Sequence, residues 1–441
     1  MNLLPLLCDQ DLSGRELNSN QHNQMHRMLK RIFLTVIGLY LGNAADLQAA
    51  ERFRTDINPA LLYWQAWAQI PDLSEADRGY LFTNEWRGQV LPPRAGELLS
   101  RYNNVFKLLH RGGKAQVPCV WGYDLTDGPE ALLPGLAKAK AVAQAARLRV
   151  SWHLQQGNQS AARDELIAAF IEGRNLATDR ILISALVQFA IENICMNAVV
   201  ENYQRFKPET LREVLAGFDA APPRGSIADS ISTERSSMYG WVLLKLADLQ
   251  AETKNEPEAI EKAQALLQMI VSTPDQPRPD WGKDVLAAAG GSMDGLMSYV
   301  RQLDAFYPEL ETILRLPYSQ ASVQIKQFNQ KVQNHPNLLA REFLGPFDRS
   351  LAKEFGAEVK LTMLRAAIAY STQGEAGLKS VIDPSTQSPF GFQPFSLNGS
   401  LRGFHLRSEF EFGDAPGVLI FAEKDGPPFH PYGKDAGKPL K

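Results

Sequence analysis

The residues whose types and spacing could do chemistry are few, and they are scattered. Ser350-Leu-Ala-Lys353 places a hydroxyl and an amine one helical turn apart. That spacing lets an amine draw the proton from a nucleophilic serine. The partner motifs Ser-Asp-Asn and Lys-Thr-Gly are absent from the chain. Trp121-Gly-Tyr-Asp124-Leu-Thr-Asp127-Gly-Pro-Glu130 is the densest polar and aromatic cluster. Its three acids are hard oxygen donors of the kind that bind Ca²⁺. They do not fall at alternate positions before a glycine, as an EF-hand requires. The expectation is a loop anchored by its Trp and Tyr and turned by Asp-Gly, with Trp121 and Asp124 as candidate ligand contacts. His110, His153, His335, His405 and His430 are isolated, and none of these five belongs to a His-x-x-x-His. No metal or cofactor site is expected. His110-Arg-Gly-Gly-Lys114 lacks the spacing of a phosphate-binding loop and reads as a helix end with cations on the dipole. Glu192, Asn193 and Asn197 stand inside a long apolar run. Buried polar groups need partners. They either bond to neighbouring helices or face a groove and bind a ligand.

The compartment is easier to read. Lys30-Arg31, the apolar run Ile32–Leu41 and the small residues Ala44, Ala45, Ala49 and Ala50 have the order of a cleavable signal sequence within residues 28–50. Ten apolar residues cover about half of a ~30 Å hydrocarbon core. The segment is expected to export the chain without anchoring it, leaving a mature start near Glu51. No later segment is expected to span a membrane. The formal charge of -3 removes the basic excess that nucleic acid or an anionic membrane would need. Cys119 and Cys195 would remain after cleavage. In an oxidising compartment they can pair, closing a loop worth roughly 4–5 kcal/mol in the chain-entropy model, or they stay as two buried thiols.

Helical periodicity must position these groups. Asn58-Pro59 and Ser74-Glu75 read as helix starts. Leu136 to Leu154 and Ala162 to Gly173 each repeat at three- and four-residue spacing, with Gly157-Asn158 between them. Ile181–Val200 is apolar nearly all round and is expected to be a central buried helix. Pro222-Pro223 ends the next helix, and 272–283 is rich in loop formers. After Gly374 the period changes to two. Phe404, Leu406, Phe410 and Phe412 alternate with charged residues, flanked by Asn398-Gly399 and Gly413–Gly417 turns and by Val418–Phe421. The expected fold is mainly α: an irregular antiparallel helical array closed by a small C-terminal β-meander. The expected order is an N-terminal extension and signal (1–50), array (51–271), linker (272–283), further helices (284–374), meander (375–425) and a flexible tail (426–441).

Gly157 at the turn, with Ala162, Leu166 and Ala169 after it, resembles one tetratricopeptide-type helix pair. No period repeats three times, so a regular solenoid is not expected. Tyr63-Trp64-Gln65-Ala66, Cys119-Val-Trp121, the Leu-rich helices around Gly157-Asn158, and Asp383-Pro384 with Pro389-Phe390 together resemble a wider group. It comprises uncharacterised, exported, mostly helical proteins of planctomycete-like and verrucomicrobia-like bacteria. The resemblance implies an exported helical protein and no particular activity. The Ser385-Thr386 pair and the Lys434–Lys441 ending depart from the group's pattern.

These observations lead to an exported helical scaffold that binds a protein or peptide partner. Trp121, Asp124, Glu192, Asn193 and Asn197 are its candidate groove residues. The alternative is a cell-envelope hydrolase whose site only folding would assemble.

Overall fold

The computed structural model describes residues 54–440 apart from 84, 272–277, 279 and 423–427. The expected signal sequence lies outside the described residues. The helices, in chain order, are α1 (Pro59–Trp67), α2 (Glu75–Thr83), α3 (Pro93–Ser100), α4 (Asn103–Gly113), α5 (Gly135–Gln155), α6 (Gln159–Leu176), α7 (Leu182–Asn202), α8 (Pro208–Asp219) and α9 (Ile227–Glu234). After a π-helical turn at Arg235–Gly240 come α10 (Trp241–Glu252), α11 (Glu256–Val271), α12 (Trp281–Ala288), α13 (Met293–Arg301), α14 (Phe306–Leu314), α15 (Tyr318–Gln333), α16 (Leu338–Phe343) and α17 (Asp348–Lys379). Strands β1 (Gly391–Leu397), β2 (Ser400–Arg407) and β3 (Val418–Ala422) follow. They form one antiparallel sheet in the order β1-β2-β3. The chain is thus mainly α with a small C-terminal meander.

Local chemistry explains the boundaries. The Asn58 side chain accepts from the Ala60 N–H while Pro59 opens α1. Ser74 Oγ accepts from the Asp77 N–H at 3.1 Å ahead of an acidic first turn. Asn398 and Gly399 both take positive φ in the two-residue turn between β1 and β2. Gly374, at φ 62°, breaks α17 near its end. The π turn has a visible cause. The hydroxyls of Ser236 and Ser237 both donate to the Thr233 carbonyl, at 2.9 and 2.8 Å, competing with the backbone for it.

Two large hydrophobic cores, beside a small cluster of Phe395, Leu397 and Ile420 on the sheet, divide the described residues, and the division does not fall at the expected linker. The first gathers α1 to α8 with the later part of α17 and the sheet. The second is built from α9 to α16. Residues on both sides of 272–283 share that second core, and α12 begins at Trp281, inside the stretch expected to be linker. Two long helices run through both cores. On α7, Ala185 and Phe189 face the second core, and Ile191, Ile194 and Met196 the first. On α17, Leu351 and Ala357 belong to the second and Val359, Met363 and Leu364 to the first. Each such buried Leu, Ile, Val, Phe or Met side chain contributes about 1.5–3 kcal/mol of transfer free energy, so this shared spine couples the two cores.

Among the described residues one segment after the expected signal, Leu182–Arg205, meets the size and composition of a membrane-spanning helix. Most of it is buried inside the protein. Its polar residues are bonded there: Gln188 to Glu192, and Asn202 to Ser151.

The C-terminal segment, expected to be a loose tail, folds back from Pro428 to Leu440. The Ile420 N–H donates to the Pro431 carbonyl, and Phe429 pairs with Pro439. The Tyr432 hydroxyl donates to Glu201 at 2.5 Å and accepts from Arg147 at 2.6 Å. One aromatic residue in a Pro- and Gly-rich stretch thereby ties the end of the chain to α5 and α7.

Candidate functional site

The sequence-derived candidates are taken up by the architecture. Trp121 is buried and lies parallel to Trp67 with ring centroids 5.1 Å apart; Tyr63 and Tyr123 stack on it as well. Its indole N–H donates to the Asn175 carbonyl at 2.7 Å. Asp124 caps its own turn, accepting from the Thr126 hydroxyl at 2.7 Å and the Thr126 N–H at 2.9 Å. Those bonds hold its carboxyl below the usual range. Asp127 and Glu130 are exposed, and Gly128 lies under the Trp241 indole. The loop is an anchored turn.

Glu192 is fully buried, so of its two readings the one bonded to neighbouring elements, not the one facing a groove, describes it. It pairs with Arg174 at 2.5 Å and Arg224 at 2.7 Å, and accepts from Gln188 at 3.0 Å. Gln188 in turn accepts from the Gly225 N–H, and Arg174 donates to the Pro222 carbonyl. The network fastens the 222–226 crossing between the two cores. Asn193 bonds back to the Phe189 carbonyl of its own helix, and Asn197 accepts from the buried Lys360 ammonium at 3.0 Å. Of the candidate residues on α7, Glu192 and Asn197 are therefore joints to other elements, and Asn193 is satisfied by its own helix.

Of the two readings of the cysteines, a disulfide or two buried thiols, the structure has the second. Cys119 and Cys195 are free, buried thiols. Cys119 lies in a loop beside Ala60 and Thr178, and burial with the nearby Asp179 pushes it up to about 12. Cys195 lies within α7, where burial and the Glu192 and Glu172 carboxyls raise it further. Ser350 lines a small cavity, but Lys353 is exposed and does not. The Ser-Lys pair is not assembled.

Folding creates a constellation that the spacing of the histidines concealed. Glu165 is buried, and Arg149 donates to its Oε1 from Nε at 2.9 Å. His110 Nε2 stands 3.4 Å from one carboxylate oxygen and His153 Nε2 stands 3.7 Å from the other. Burial opposes ionisation of Glu165, but His110, His153 and Arg149 outweigh it and bring the carboxyl down to about 2. A signal was present. Arg149 and His153 are four apart on α5, and Arg149 and Glu165 are equidistant from Gly157, so a helical hairpin must face them. Among the described residues no group of acids, histidines and cysteines is arranged to hold a metal ion.

The arrangement best suited to meeting a partner is a groove of about 580 Å³ at the end of the sheet. It runs between the 383–391 segment and the stretch from Arg407 to Gly417. Its floor is fixed. Asp383 is buried and its Oδ1 accepts from the Ser385 N–H and hydroxyl, both at 2.8 Å. Ser385 Oγ lies 3.1 Å from Ser408 Oγ, which accepts from the Phe410 N–H. The Ile382–Pro389 bridge closes the loop, and the Ser408 N–H donates to the Gly417 carbonyl at 2.7 Å. The rim is different. The side chains of Arg407, Glu409 and Glu411 are exposed and make no hydrogen bond or ion pair among the described residues. The sequence pattern placed Phe410 and Phe412 on one long strand. Instead β2 ends at Arg407, Ser408 turns the chain, and Phe410 packs on Tyr318 and Phe355 of the helices. That turn opens the groove.

No family model, no curated protein and no solved structure matches the chain.

Proposed function

We propose that this chain is an exported, non-enzymatic binding protein. Its helical array carries a groove that engages a protein or peptide partner. The observation that carries this reading is the contrast within the groove. A floor locked by Asp383, Ser385 and Ser408 lies beneath a rim whose one cation and two carboxylates are uncommitted. A fixed floor lowers the ordering cost of binding, and free rim charges select a partner of complementary charge. A volume of about 580 Å³ accommodates several residues of an extended peptide.

The test is a displayed peptide library selected on the intact protein, with a Glu409→Lys/Glu411→Lys variant run in parallel. Wild type is expected to enrich peptides with Lys or Arg at a fixed position. The variant is expected to lose that preference or exchange it for acids. Identical enrichment by both proteins would remove the groove from the account. N-terminal sequencing of protein recovered from the cell envelope tests the export reading: a start near Glu51 supports it, and an intact Met1 or Met28 overturns it.

Ser350 in a cavity favours a second reading, a cell-envelope hydrolase. A fluorophosphonate probe that labelled Ser350 in the folded protein would support the hydrolase.

A further inference from the structure

A second cavity, of about 220 Å³, lies in the other core between the π-helical turn and the start of α17. Part of its wall is apolar, built from Met238, Phe343 and Phe347 among others. Three polar side chains enter it: Glu234, Tyr307 and Ser350. Tyr307 is only 3% exposed, and its hydroxyl is buried with no hydrogen-bond partner among the described residues. A buried hydroxyl without a protein partner keeps its hydrogen-bonding capacity to offer to a ligand. Glu234 is held in place by the Leu182 N–H, which donates to its Oε1 at 3.1 Å; its other oxygen makes no hydrogen bond among the described residues. Ser350 stands in the first turn of α17, where no side chain caps the helix and the acid of that turn, Asp348, accepts from Asn329 at 3.2 Å. Helix starts of this kind favour anions. The six-residue π turn is an irregularity often found at functional sites.

We infer that this cavity binds a free apolar α-amino acid. The carboxylate is taken by the uncapped start of α17 with the Ser350 and Tyr307 hydroxyls. The ammonium is taken by Glu234. The side chain lies against Met238, Phe343 and Phe347. The charges argue for the free molecule: a chain terminus brings one charge of one sign, whereas the cavity offers a carboxylate and a helix start together. The size agrees, since about 220 Å³ falls below the range of roughly 300–1,000 Å³ that drug-sized ligands occupy. This site is separate from the groove at the sheet, so either can fail without the other.

Isothermal titration of the full-length protein with L-leucine, L-methionine and L-phenylalanine tests it. N-acetyl-leucine lacks the ammonium, 3-methylbutylamine lacks the carboxylate and glycine lacks the side chain. At least one of the three amino acids is expected to bind, with about a tenfold or greater loss for each control compound. Glu234→Gln keeps the acceptor for the Leu182 N–H and is expected to weaken binding by about tenfold; Tyr307→Phe is expected to weaken it several-fold. Far-UV circular dichroism of both variants should match wild type. The inference is overturned if no free amino acid binds at about 10 mM. It is also overturned if the control compounds bind as well as the amino acids, or if folded Glu234→Gln binds with unchanged affinity.

Discussion

Replacing Glu172 by Gln should change how the stability of the whole molecule depends on pH. Glu172 lies fully buried on α6 and accepts a hydrogen bond from the Trp67 indole at 2.7 Å, while its second oxygen has no hydrogen-bond partner among the described residues. Burial therefore raises its carboxyl from 4.5 to about 8. The folded protein keeps a proton that the unfolded chain releases. Stability must then fall as the pH rises above 4.5 and level off above about 8. At about 1.4 kcal/mol per pH unit the full effect is roughly 5 kcal/mol, and about 4 kcal/mol of it falls between pH 5 and 8. Glutamine keeps an acceptor for Trp67 and carries no titrating proton. Urea denaturation of both proteins at several pH values isolates the contribution, because every other titrating group is common to the two. The difference in unfolding free energy should shift in favour of Glu172→Gln by about 4 kcal/mol across that window. Parallel pH profiles for the two proteins would refute the reasoning and show that Glu172 is ionised in the fold.

Three further outcomes follow from the buried networks. Glu192→Ala should destabilise by about 3–5 kcal/mol in denaturant titrations, because it leaves Arg174 and Arg224 without their carboxylate where the chain crosses between cores. Glu165 has the opposite linkage to Glu172. Its carboxyl is lowered to about 2, so its stabilisation is complete above pH 4.5 and disappears as the pH falls toward 2, a loss of roughly 3 kcal/mol that Glu165→Gln should abolish in acid-denaturation curves. Gly128→Ala should cost about 2 kcal/mol or more by thermal unfolding, since Gly128 has φ 57° and a Cβ there would approach the Trp241 indole to 2.5 Å.

Much of the fold was legible in the chain because local rules produced it. Asn58-Pro59, Ser74 and Asn398-Gly399 act through bonds within a few residues, and the structure places them as capping chemistry requires. The apolar run from Ile181 to Val200 forms the central helix α7 because no face of it is suited to water. Partnership was not legible. Nothing near Tyr432 in sequence indicates that it will meet Glu201, and the periodicity of α9 to α16 does not say that they will close a core of their own. The same limit applies to the sites. Polar residues within an apolar run suggested a groove on α7, but Glu192 is met by Gln188 and two arginines, Asn193 by the Phe189 carbonyl and Asn197 by Lys360. The groove at the sheet depends on a turn at Ser408, where period-two alternation continued to read as strand. The cavity at Tyr307 depends on a π turn, which begins when two serine hydroxyls compete for one carbonyl.

The central claim is that the groove beside the sheet is where this protein meets its partner. The most direct measurement is photo-cross-linking of a library-selected peptide to the intact protein, with adducts mapped by mass spectrometry. The account predicts adducts within 383–391 and 407–417 that disappear in Glu409→Lys/Glu411→Lys. Adducts confined to the helical surfaces of either core, unchanged by that variant, would contradict it.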